Sequence, residues 1–552
     1  MKRGLLLFIY CVLAYCFPLA QGVNWEWARQ SIGINTAGAV GTAVACDNAG
    51  NVYATGYYRS DSIVFDNIIL RNGGEQDFFI VKYSPSGKII WAKTAHLSIG
   101  SEILGLGVAT DHGDNVYVTG DLAGDTVTIG NITLSRYSYF TAFVAKYDSN
   151  GNSLWANSAA DDGNSSGNSI ATDESGSVYI TGSFWDNITS FDNDTLFKSN
   201  PNGTQSDFFI TKFSSVGNVI WAKSTTTSTS SFVTGNSIAT NKNNGVWVTG
   251  SFSGDSVSFG GITLSTLNTD PSDIFVARYD SMGNVLWAKS AGDAYNDIGH
   301  ACVADKNGNV FVTGELASGP SRSSFFVAEY DPLGNFQWEK RALGVGSSSG
   351  HSIATDISGN IYIVGGLDNA IIILDSTTLF ISPNAVNQMF LITYDSSRNL
   401  VCSGSLESGG GPQPAIATDN FGNTYVCGDF YVNPFMVGTD RLTDSDGINI
   451  FVAKFNCSSS TSIPALTEAP SLQLHPNPFT NQAKVQYSLP EGSKNAALII
   501  YDILGRQRNS YQINNTEGEI NINSTGLSSG VYLYSLVVDG KTLATKKMVV
   551  QE

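Results

Sequence analysis

One pattern recurs seven times along this chain and leaves few folds open to it. Ser-Ile-Ala-Thr-Asp-x-x-Gly-x-Val-Tyr-Ile-Thr-Gly starts at Ser169, and close copies start at Ser237 and Ser352. Looser copies contain Asp47, Asp111, Asp305 and Asp419. A second motif follows each copy, for example the run from Asp207 through Phe-Phe-Ile-Thr-Lys-Phe to Trp221-Ala-Lys. The same run starts at Asp77, Ala142, Asp273 and Phe325, and in worn form at Met389. The seventh copy, at Asn449, stops before its Trp-Ala strand. That missing piece stands at the other end, as Trp25-Glu-Trp-Ala-Arg29, with no unit before it.

Each unit reads as four strands, represented by Ser169–Thr172, Val178–Gly182, Phe208–Phe213 and Val219–Lys223. Asp/Asn-x-x-Gly-Asn between the first two strands, and again between the last two, is tight-turn sequence. Asp caps such a turn and Gly supplies its positive φ. No apolar period of 3.6 appears. Four-stranded sheets repeated radially give a β-propeller. The sequence therefore predicts an all-β fold: a seven-bladed β-propeller over 21–457, about 62 residues per blade, with residues 25–30 closing the last blade. The Trp residues of the fourth strands (Trp91, Trp155, Trp221, Trp287, Trp338) are expected between neighbouring blades.

These repeats resemble the bacterial β-propeller repeats known as SBBP repeats, a likeness that implies a fold and no single activity. Residues 458–470 are Ser/Thr/Pro-rich and read as a linker. Beyond it, 471–552 shows alternating strands (Lys484–Leu489, Ala497–Tyr501, Val531–Val538, Thr545–Val550), a small C-terminal β-sandwich. This segment resembles the type A C-terminal sorting domain of the type IX secretion system of Bacteroidetes. The residues that carry the likeness are Pro476-Asn477-Pro478 after His475, then Gly505-Arg506, Gly530 and Tyr532, and Lys546-Lys547. His475 departs from the commoner Tyr. The resemblance implies the type IX machinery as partner, passage across the outer membrane, and release or surface attachment.

Residues 1–20 read as a signal peptide: Lys2 and Arg3, an apolar run from Gly4 to Phe17, and Ala20 at the cleavage point. Tyr15 before Cys16 fits a lipidation site badly. No later run is apolar for long enough to suggest a membrane span. The formal charge of −18, with 30 Lys+Arg, leaves no basic excess for nucleic acid. Of the Cys residues outside the signal segment (Cys46, Cys302, Cys402, Cys427, Cys457), the expectation is buried thiols, with one disulfide through Cys427 or Cys457 as the alternative.

The candidate sites sit on variable connections. Asp61, Asp125 and Asp255, with Asn187 at the same offset, form an acidic series that suits Ca²⁺ or serves as turn caps. His300 and His351 each precede the first strand of adjacent units and are expected to face each other at the channel mouth, as polar lining or as metal ligands. Tyr57, Tyr58, Trp185 and Tyr431 are offered as exposed aromatics for sugar rings. No catalytic motif is present, and the turn Asp residues recur too regularly to be a unique acid–base pair. The expected function is an exported or cell-surface scaffold for binding or adhesion, with a glycan or protein ligand. A polysaccharide-acting hydrolase or lyase, and a purely structural surface protein, are the alternatives.

Overall fold

The computed structural model describes residues 22–457 and 472–551. It leaves out 35–37, 136–139, 160–163, 202, 204, 228–230, 267–271, 294, 320–321, 375–376, 381–387, 407–412, 444–446, 490–494, 504 and 539–540. The signal segment and the linker lie outside the described residues, as do Cys11 and Cys16.

All regular elements among the described residues are strands. Each repeat folds into one antiparallel sheet whose strands, here A to D, pair in chain order. In sheet 3 they are Ser165–Thr172, Val178–Phe184, Asp207–Phe213 and Val219–Ser224. Seven sheets of this kind are present among the described residues. In sheet 7, Ala415–Thr418, Thr424–Phe430 and Asn449–Asn456 are strands A to C, and Asn24–Gln30 pairs with Asn449–Asn456 as strand D.

The repeated residues explain the repeated contacts. In four sheets the Thr ending strand A donates to a backbone carbonyl of the preceding sheet. Thr110 reaches Cys46 at 2.7 Å, Thr172 reaches Thr110 at 2.6 Å and Thr240 reaches Thr172 at 2.6 Å. The leading Ser accepts from the following sheet, Ser169 from the N–H of Ile238 at 3.2 Å. Strand D joins the sheets farther out. The indole N–H of Trp91 donates to the Ser149 carbonyl in the next C–D turn at 3.1 Å, and Trp27 does the same to Pro85 at 3.1 Å. The Trp expectation holds for Trp91, Trp155, Trp221 and Trp287, whose indoles each bond the following sheet's turn. Trp338 instead lies edge-on to Tyr394 of sheet 6, 5.3 Å between centroids.

The A–B turns are built on a buried Asp. Asp47 Oδ1 accepts from the N–H groups of Ala49 and Asn51, and its Oδ2 accepts from Asn51 and from the Tyr53 hydroxyl. Lys82 lies 3.4 Å from the same oxygen. Asp111 with Lys146 and Asp173 with Lys212 repeat this arrangement. Each such Asp is a fixture of the fold.

The B–C connections correct the sequence reading. Those of sheets 1 to 4 and 7 form short hairpins, such as Ser62–Phe65 with Ile68–Arg71 and Ile188–Phe191 with Asp194–Phe197. In sheets 3 and 7 a hairpin Asp accepts from an N–H of strand D. Asp194 Oδ2 accepts from Ala222 at 2.9 Å, and Asp440 Oδ2 accepts from Ala28 at 2.7 Å. An unpaired edge is a template for aggregation, and this cover blunts it.

Residues 472–551 form two further sheets, one of three strands and one of four, over a core that includes Leu498, Ile500, Val485 and Met548. Among the described residues no helix is long and apolar enough to cross a membrane.

Candidate functional site

Residues of strand A from each sheet, with Gln413 and Pro414 just ahead of it in sheet 7, line a common cavity of about 550 Å³. The position just before the Ser-Ile-Ala-Thr run contributes Thr42, Leu106, Asn168, Asn236, His300, His351 and Pro414. Ser251 and Gln413 add further polar groups. This cavity is where the structure brings the sequence-predicted His300 and His351 together, with ring centroids 5.1 Å apart.

Three of the lining residues have a structural duty. The Thr42 hydroxyl donates to the Gly105 carbonyl at 2.7 Å, Asn168 donates to Gly235 at 3.0 Å, and Asn236 donates to Gly299 at 2.9 Å. Each bond ties one sheet to the next. The two histidines depart from this pattern and make no such bond among the described residues. Burial, and then the neighbouring His300, push His351 down to about 3. Burial likewise lowers His300, opposed by Glu315, whose Oε1 lies 4.0 Å from His300 Nε2. Burial therefore disfavours the charged form of both imidazoles.

Glu315 was missed in the sequence. Its marker is its place directly after the Thr-Gly that ends each B-strand core, where Tyr57, Asp121, Ser183 and Ser251 stand in other sheets. His300 and His351 are the titratable residues among those lining the cavity. The carboxyls that burial raises lie outside the cavity lining. Burial pushes Asp77 up to about 7, against hydrogen bonds from Thr94 and Ala95. Burial also raises Asp121 to about 6, opposed by Ser166 and Gly167.

The other predicted residues fall elsewhere. Asp61, Asp125 and Asp255 are exposed, each opening the outer hairpin of its own sheet, and are not brought together. Among the described residues no three His, Cys, Asp or Glu side chains are gathered as a ready-made metal cage. Tyr58 is a correction: it is fully buried, with its hydroxyl 3.2 Å from Thr94 Oγ1. The pleat turns it inward while neighbouring Tyr57 is half-buried. Trp185 and Tyr431 are exposed as expected. A disulfide joins Cys402 to Cys457, while Cys427 is a buried free thiol, so the pairing corrects the expectation of thiols throughout.

In the C-terminal unit the motif residues have clear structural work. The Asn477 side chain donates to the Lys547 carbonyl at 2.9 Å and accepts from the Val549 N–H at 2.8 Å, pinning the last strand. Gly505 and Arg506 sit in an Asp502-capped turn of the same form as those of the repeats, with Arg506 and Arg508 both on Asp502. The Tyr532 hydroxyl donates to the Ser528 carbonyl at 2.9 Å. Pro476, Pro478, Gly530, Lys546 and Lys547 are exposed.

Residues 473–551 match the family model of the secretion system C-terminal sorting domain, and residues 338–365 match that of the beta-propeller repeat. The chain carries a β-propeller repeat and a type IX C-terminal sorting domain. The sorting domain marks it for export through the type IX machinery to the cell surface or beyond. Among curated proteins it is similar to an uncharacterized WD repeat-containing protein of Acanthamoeba polyphaga mimivirus. The two are 23% identical over 492 residues, covering 71% of this chain and 35% of that protein. It is also similar to the regulatory protein FlaEY of Caulobacter vibrioides, 28% identical over 108 residues, covering 17% of this chain and 11% of that one. The chain thus spans about a third or less of the curated relatives it matches.

Among solved structures it is similar to a protein of unknown function from Dyadobacter fermentans, at 9% identity and TM-score 0.37, covering 79% of this chain and 99% of that one. It is also similar to an alpha-L-arabinanase of Penicillium chrysogenum, at 9% identity and TM-score 0.33, covering 71% of this chain and 99% of that one.

Proposed function

We propose that this chain is an exported binding scaffold: a seven-bladed propeller, closed by its N-terminal strand, that takes an uncharged, hydroxyl-rich ligand in its central cavity. The observation that carries this reading is the chemistry of the cavity wall. Hydroxyls and amides from Thr42, Asn168, Ser169, Asn236, Ser251 and Gln413 line it, with two imidazoles whose charged form burial disfavours. Such a wall pairs with hydroxyls and carries no carboxylate or ammonium group of its own. A cavity of about 550 Å³ falls within the range of small-ligand sites, roughly 300–1,000 Å³. Glycans are the ligand class that fits. Closure is supported by the pairing of Asn24–Gln30 with Asn449–Asn456 and by the Trp27–Pro85 bond, which repeats the contact between other neighbouring sheets.

The test is a glycan array probed with the purified exported chain, in Ca²⁺ and in chelator. Saturable binding to one glycan class, weakened by Ser251→Tyr, supports the cavity as the site. Tyr already stands at the equivalent position, Tyr57, so the fold accommodates it. Binding that is indifferent to Ser251→Tyr overturns the placement.

A further inference from the structure

The seven positions just before the inner-strand motif are equivalent, and of the five that carry a polar side chain, three bond the next sheet and two do not. Thr42, Asn168 and Asn236 spend their side chains on a carbonyl of the next sheet. His300 and His351, on consecutive sheets, do not. Their rings face each other across 5.1 Å at an interplanar angle of 46° inside the cavity. His351 has no hydrogen-bond partner among the described residues, and both rings remain partly open to the cavity.

We propose that His300 and His351 together bind one divalent transition-metal ion of the zinc or nickel type in the central cavity, leaving its remaining positions open. Imidazole nitrogen is a preferred donor for these ions, with bonds of about 2.0–2.1 Å. A ring bound in this way has its centre about 3.2 Å from the ion. Two such centres 5.1 Å apart subtend about 105° at a shared ion, close to the tetrahedral angle. Glu315, 4.0 Å from His300, supplies the nearby negative charge that a dication in a partly dry cavity needs. Water and ligand oxygens fill the open positions from the cavity side. The proposal holds whichever ligand the cavity takes, because the two imidazoles are a site without it.

The experiment is calorimetric titration of the full chain, stripped with chelator, with ZnCl₂ and separately with NiSO₄. Wild type is expected to bind one ion saturably. His300→Asn and His351→Asn are each expected to weaken binding at least tenfold, and the double variant to abolish it. Asn is the residue at this position in sheets 3 and 4, so both variants keep a side chain the fold uses there. The wild type alone supplies a second reading: Zn²⁺ should raise its unfolding midpoint in a concentration-dependent way. The proposal is overturned if wild type takes up no ion. It is equally overturned if the double variant binds as tightly as wild type, which would move the ion to another histidine such as His112 beside Glu174.

Discussion

Arg398 grips Glu329 with both arms of its guanidinium, Nε at 2.7 Å and Nη2 at 2.6 Å from the two carboxylate oxygens, across the seam between sheets 5 and 6. Both residues are exceptions to the repeat. Glu329 stands where Lys82, Lys146 and Lys212 stand in other sheets, and Arg398 stands where the C–D turn carries Gly87, Gly151 or Gly217. Elsewhere the Lys reaches a carbonyl of the next turn, as Lys146 reaches Ser215 at 3.0 Å. Here the donor and acceptor have exchanged sides. Arg398→Ala strands a buried carboxylate and should cost about 3–5 kcal/mol. Glu329→Lys alone should also destabilise, because it sets two cations together. Glu329→Lys with Arg398→Gly restores the arrangement of the other sheets and should recover most of the loss in urea unfolding. A double variant no more stable than either single one would contradict the exchange.

The Gly of the C–D turn is required twice over. Gly283 has φ +83°, and a Cβ there would lie 3.0 Å from the Trp221 ring. Gly261 has φ +95° with nothing within 4 Å. Gly261→Ala should therefore show backbone strain alone, about 1–2 kcal/mol. Gly283→Ala should lose more, by the cost of displacing the indole from its bond to Ser281. Equal losses would mean that the seam does not depend on that contact.

Asp77 makes stability depend on pH in an unusual direction. Burial holds its carboxyl at about 7, against about 3.9 in an unfolded chain. Between these values the folded state keeps a proton that the unfolded state has lost. Its contribution to stability therefore falls as pH rises from about 4 to about 7 and is level above that. Asp77→Asn should match wild type near pH 4 and be the more stable of the two at pH 8. Chemical unfolding at both pH values checks this, and an unchanged slope would contradict it.

The Cys402–Cys457 disulfide spans 55 residues and fastens the end of strand C of sheet 7 to strand D of sheet 6. Cross-linking a loop of that length is worth about 4 kcal/mol in the chain-entropy account. Cys402→Ser with Cys457→Ser should lower stability by about that much, whereas Cys427→Ser, at a buried free thiol, should act only through packing. A double variant as stable as wild type would show that the fold does not use the bridge.

Much of the fold was legible because repetition multiplies weak signals. One Asp-x-x-Gly-Asn is a turn; its recurrence beside Trp-Ala-Lys fixed strand order, the inter-sheet Trp contacts and the unpaired strand at Trp25-Glu-Trp-Ala-Arg29. The hairpins over strand D were also written in the sequence, as Phe65-Asp-Asn-Ile68 and Phe259-Gly-Gly-Ile262, short turns between alternating strands. Their two-residue turns and four-residue strands are weaker signals than the repeated motifs on either side. Tyr58 was misread for a different reason: adjacent aromatics point to opposite faces of a strand, and only pairing says which face is inner. His300 and His351 were legible as a facing pair because equivalent positions in a repeat occupy equivalent places. Glu315 was not, because it comes from another strand and joins the pair only through the sheet's register.

The most direct test of the central claim is glycan-array binding by the exported chain, wild type against Ser251→Tyr. A binding scaffold that uses its central cavity predicts saturable capture of one glycan class by wild type and its loss when the cavity is filled. No capture of any glycan by wild type would contradict the claim.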